Sequence, residues 1–114
     1  MKKQGTNYKQ SGCKDAVWNM GFTIPGKDPN KTRLDASRRV INYNDFGKDN
    51  STGWNIDHKV PSSLGGSNLL TNLQPLQSSY NKSIGNRLNK PNIDSYKGIS
   101  NDEVYQMYLN DNKK

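Results

Sequence analysis

The segment from Trp54 to Asn86, WNIDHKVPSSLGGSNLLTNLQPLQSSYNKSIGN, limits what this chain can fold into more than any other. Trp54, Ile56 and His58 alternate with Asn55, Asp57 and Lys59, which is the period of an extended strand with one buried face. Pro61 ends that pattern, because proline has no N–H to give to a ladder. Ser62 to Asn72, with Gly65-Gly66 inside, has the turn chemistry of a loop that folds back on itself. Leu73 to Leu76 predicts a second short strand, which Pro75 marks as an edge. Ser78 or Ser79 then caps a helix whose first turns carry Tyr80, Asn81 and Lys82. A strand, a return loop, a second strand and a helix thus follow one another from a single stretch.

The rest of the chain has to support that unit with little apolar material. Of the 114 residues only 30% are hydrophobic, so the core must be small, although two Trp, six Tyr and two Phe supply large burial per residue. The length fits one domain, and we expect a small α+β fold over residues 13–110. A basic tail over 1–12 and a frayed end over 111–114 are expected to flank it. The single cysteine, Cys13, excludes an intrachain disulfide and a Cys-x-x-Cys zinc brace, so no structural zinc is expected. The sequence has no apolar run of membrane-spanning length and no hydrophobic leader after Met1, so an intracellular, membrane-free protein is expected. The net charge of +7 favours a polyanionic partner through counterion release.

Taken in order, Asp15 to Met20 predicts a short helix with Gly21 just past its end, burying Val17, Trp18 and Met20. Ile24 to Pro29 is a turn. Val40, Ile41 and Tyr43 give the stretch after Arg33 an extended, partly buried character that ends at Asp45-Phe46-Gly47. Arg33, Arg38 and Arg39 are candidates for phosphate contact, since a guanidinium can fork onto two phosphate oxygens. Lys59, Lys82 and Arg87 join them from the neighbourhood of the hairpin and helix. Trp54 reads as a core anchor. Ser100 and Glu103 form a capping box, and behind it Val104, Met107 and Tyr108, with Leu109 at the edge, predict a packing face on a C-terminal helix.

Asp57-His58, Val60-Pro61, Gly65-Gly66, Asn72-Leu73-Gln74-Pro75-Leu76 and Asn81-Lys82 together resemble, in order and spacing, the HNH endonuclease family. The resemblance covers about a third of the chain, with weaker similarity reaching back to an Arg-x-Asp stretch at Arg33. It implies a ββα unit around one divalent metal, with its core at about 54–86. His58 matches the first letter of the motif, Asn72 the middle one and Asn81 the last, where many members carry a second His; this chain resembles an H-N-N variant. The implied activity is hydrolysis of DNA phosphodiesters to 5′-phosphate and 3′-hydroxyl ends.

Such hydrolysis needs a base for the water, a counter-charge for the leaving oxygen and in-line positioning. An imidazole titrating near neutrality is the natural base, and its help is worth roughly 10²–10⁴ in rate. Asp57 offers an anionic oxygen and Asn81 a neutral one, a hard donor set suited to Mg²⁺ or Mn²⁺. Asn72 is the candidate for fixing the imidazole tautomer or tying the loop to the strand. Successive strand residues face opposite ways, so aiming Asp57 and His58 at one phosphate calls for a twist or bulge at the strand end. Double-stranded DNA is the expected partner. With no base-reading array in so short a chain, either low sequence specificity or a separate targeting protein partner is expected. The competing reading is a basic nucleic-acid-binding module, or an assembly component, that keeps the scaffold without the chemistry.

Overall fold

The computed structural model describes residues 11–84 and 90–113. Its centre is an antiparallel hairpin of β3 (Trp54–His58) and β4 (Leu73–Gln77), with Trp54 opposite Gln77 and His58 opposite Leu73. The alternation read from the sequence is what the strand uses. Trp54 and Ile56 are buried in an apolar cluster, while Asn55 and Asp57 point to the other side and meet polar partners. Pro75 costs the sheet little, because in a two-stranded ladder its missing N–H lies on an edge. Its carbonyl instead accepts from the Ala36 amide at 3.1 Å. β4 runs one residue further than expected and passes directly into α2 (Ser78–Ile84), where the Ser78 amide donates to the Gly53 carbonyl at 2.9 Å.

Beneath the hairpin lies α1 (Ser11–Trp18), which starts a turn before the expected Asp15 and ends two residues before Met20. Its Val17 and Trp18 pack with Ile41, Trp54, Ile56 and Leu73. Aromatic edges hold this layer: the Trp18 and Trp54 rings are 5.2 Å apart and Phe46 meets Trp54 edge-on at 4.8 Å. Trp54 is fully buried, an anchor under the hairpin. The second sheet pairs β1 (Thr32–Leu34) with β2 (Val40–Asn42), Arg33 opposite Ile41. A second apolar cluster forms around Phe22, Ile24, Leu34 and Val104. The last residue belongs to α3 (Asn101–Asp111), where Ser100 and Glu103 close the capping box in both directions. On α3, Tyr105 and Tyr108 join Val104 in the packing, whereas Leu109 lies exposed rather than on the packing edge. Among the described residues, three α-helices and two small antiparallel sheets make up this mixed fold. Among the described residues, no helix is long and apolar enough to cross a membrane.

One buried carboxylate ties the two sheets together. Asp35, fully buried, accepts from the amides of Ser37 (2.8 Å), Arg39 (2.8 Å) and Gln77 (2.6 Å) and from the Ser37 hydroxyl (2.7 Å). Burial pushes this carboxyl upward from its ordinary value, and the four donors pull against that push. The turn between β1 and β2 is therefore fastened to the end of β4, just where α2 begins.

Candidate active site

The loop between β3 and β4 brings polar groups back over the strand end. Gly65 takes a φ of 91° and Gly66 allows a backbone approach that no side chain would permit, since a Cβ there would lie 1.7 Å from the Val60 carbonyl oxygen. Asn72 staples the loop's mouth. Its Oδ1 accepts from the Val60 amide at 2.9 Å, and its Nδ2 donates to the carbonyls of Val60 (3.1 Å) and Ser67 (2.8 Å). Of the two roles considered for Asn72, this geometry is the loop tie. The imidazole is met by Asn68, whose Oδ1 lies 2.7 Å from His58 Nε2. A carbonyl oxygen accepts, so this contact suits a ring that carries its proton on Nε2. His58 is half-buried.

Asp57 and His58 do not converge by a bulge. The ladder is regular through the His58–Leu73 pair, so the two side chains leave β3 on opposite sides. Asp57 is buried. Its Oδ2 accepts from Gln74 Nε2 at 3.0 Å, and its Oδ1 accepts from the Lys90 ammonium at 2.8 Å. Gln74, itself fully buried, also donates to the Pro91 carbonyl and accepts from the Ile93 amide, both at 2.8 Å. Asn55, two residues before Asp57 on the same side, donates to Ser78 Oγ at 2.8 Å. Ser78 and the half-buried Asn81 are three apart on α2 and share a helix face. Asp57 and His58 thus lie on opposite faces of β3, and Asp57 is met by Gln74 and Lys90.

The expected phosphate contacts divide sharply. The Arg33 guanidinium donates to the carbonyls of Pro29 (2.8 Å), Gly21 (2.9 Å) and Asn19 (3.2 Å). It holds the preceding loop and has little fork left for a phosphate. The Lys59 side chain, only 10% exposed, is committed to Asp94 and to the Thr71 carbonyl, both at 3.0 Å. Arg38 is paired with Asp111 at 2.9 Å and donates to the Tyr96 hydroxyl. Lys82 makes an exposed pair with Asp49 at 2.7 Å, the kind that contributes little and opens readily. Arg39 is different. It makes no ion pair among the described residues and lies over the Tyr80 ring, 3.7 Å from its centroid. Arg87 lies outside the described residues.

Sequence reasoning missed four residues that organise this region: Asp35, Asn68, Gln74 and Lys90. For Gln74 a signal existed, because a glutamine between Leu73 and Pro75 falls on the strand face opposite those two neighbours and so on the Asp57 side. Lys90 reaches Asp57 from 33 residues away in the chain, and no local pattern announces that. Comparison of the chain with protein-family models, with curated proteins and with solved structures returns no match.

Proposed function

We propose that this protein is a divalent-metal-dependent endonuclease of HNH type that hydrolyses DNA phosphodiester bonds. The observation that carries the reading is the hairpin followed without a break by α2, with His58 at the strand end and its Nε2 tethered by Asn68. His58 would accept the proton of the attacking water, and Asn68 would hold the orientation of the ring. Asn72 would hold the loop that carries Asn68. Asp57 and Asn81 would hold the ion. Asp57, which points to the strand face opposite His58 and is engaged by Gln74 and Lys90, would exchange the Lys90 ammonium for the metal and turn toward the His58 edge to do so. Such an ion, when bound, supplies Lewis-acid stabilisation of charge at the leaving 3′ oxygen. The net charge of +7 suits a DNA partner.

A second reading is favoured by one specific contact. Lys90 neutralises Asp57 without any metal, so the same scaffold serves a module that binds nucleic acid and does not cut it. Supercoiled plasmid incubated with Mg²⁺ or Mn²⁺, and separately with EDTA, separates the two. The nuclease reading expects metal-dependent nicks that ligase reseals, because the ends carry 5′-phosphate and 3′-hydroxyl groups. DNA binding with no cleavage in any divalent metal selects the module.

A further inference from the structure

We propose that the cleft beside α2, between Arg39 and Tyr96, is a docking subsite for one backbone phosphate of the bound nucleic-acid strand, with Arg39 as its anion-binding residue. This inference rests on the nucleic-acid reading above and does not require cleavage. The cleft measures about 550 Å³ and is lined by hydroxyl, amide and guanidinium groups, among them Ser37, Asn92 and Ser95. Among the described residues, three charged side chains line it: Arg38, Arg39 and Asp111. Arg38 and Asp111 neutralise each other at 2.9 Å, so of these three Arg39 is left with an uncompensated positive charge. Stacked on Tyr80, its guanidinium is held by a ring face rather than by a carboxylate, and its N–H edge stays available for a phosphate.

The position of Arg39 is built, not incidental. Asp35 accepts from the Arg39 amide and from the Gln77 amide. One buried carboxylate therefore fixes both the turn that carries the guanidinium and the strand end from which Tyr80 is launched. Arg38, next to it, sits at a φ of 64°, a left-handed conformation that a non-glycine residue adopts only when its surroundings hold it there. Its ties to Asp111 and the Tyr96 hydroxyl hold it there and turn it away from its neighbour. Tyr80 precedes Asn81, and Pro91-Asn92 follow Lys90, so the cleft borders the candidate site along both chain segments that form it. A strand lying across β3 and α2 would place a flanking phosphate here.

The test is binding of a fluorescently labelled DNA duplex, read by anisotropy in EDTA over a range of salt, for wild type and for Arg39→Ala. Removing one phosphate contact should weaken binding about tenfold at low salt and flatten the slope of log K against log salt by about 0.9 for a duplex. The loss should be equal across unrelated sequences. Arg39→Lys, which keeps the charge but not the stack or the fork, should recover the slope and only part of the affinity. A folded Arg39→Ala protein with wild-type affinity and slope overturns the subsite, as does a wild type that binds no DNA. If Arg39→Ala weakens binding while the wild type cuts nothing, the subsite stands and the nuclease reading falls.

Discussion

Replacing Lys90 by methionine removes the only cation that touches Asp57 among the described residues and leaves the rest of that buried network in place. The Asp57 and Lys90 side chains are 5% and 3% exposed, and the second carboxylate oxygen has only the neutral Gln74 amide. Breaking a buried pair from one side strands a charge that water cannot reach, at a cost of about 3–5 kcal/mol. That is a large part of the roughly 5–15 kcal/mol that holds a typical domain together. Urea unfolding followed by tryptophan fluorescence reads it directly, because Trp18 and Trp54, the only two tryptophans, sit in one core cluster. Lys90→Met should move the midpoint sharply down with an unchanged slope, and adding Asp57→Asn should recover most of the loss by removing the stranded charge. Mg²⁺ or Mn²⁺ should also raise the midpoint of Lys90→Met, by mass action on the folded state, and should raise it more than in wild type. A Lys90→Met midpoint equal to wild type within about 0.5 kcal/mol would refute the claim that this pair is buried and mutually dependent.

Three further outcomes follow. Asn68→Ala should lower the rate of cleavage and alter its pH dependence while leaving DNA affinity intact, since it removes a contact that orients the imidazole; parallel nicking and anisotropy assays over pH show whether it does. Gly66→Ala should open the loop and cost well over 1 kcal/mol, because the added carbon would collide with the Val60 carbonyl; the unfolding midpoint reports it, and a neutral result contradicts the loop geometry. The Thr52 hydroxyl, aided by Lys48, holds the Asp45 carboxyl below its ordinary value. A depressed carboxylate contributes stability above its unfolded value and loses it as pH falls through the folded one, so Thr52→Val should bring the carbon NMR titration of Asp45 back up towards the ordinary range.

The hairpin, α2 and the capped α3 were legible because each rests on a short-range rule. Alternation buried Trp54 and Ile56, Gly65-Gly66 allowed the return, and Ser100 with Glu103 capped α3. What the pattern did not carry was which polar groups meet across the fold. Arg33 looked like a phosphate fork, yet carbonyls at 19, 21 and 29 absorb its hydrogen bonds. A bulge would be needed only if Asp57 and His58 shared one target from a regular strand. The ladder stays regular because Gln74 and Lys90 satisfy Asp57 where it already points. Asn68 was hidden for a related reason: its role depends on how the loop closes, and Asn72 sets that closure through three hydrogen bonds to backbone groups.

The initial rate of supercoiled-plasmid nicking in Mg²⁺ or Mn²⁺, compared between wild type and a folded His58→Ala protein, tests the proposed chemistry most directly. Loss of the imidazole should lower that rate by about 10²–10⁴ while DNA binding is retained. An equal rate in His58→Ala would contradict that chemistry.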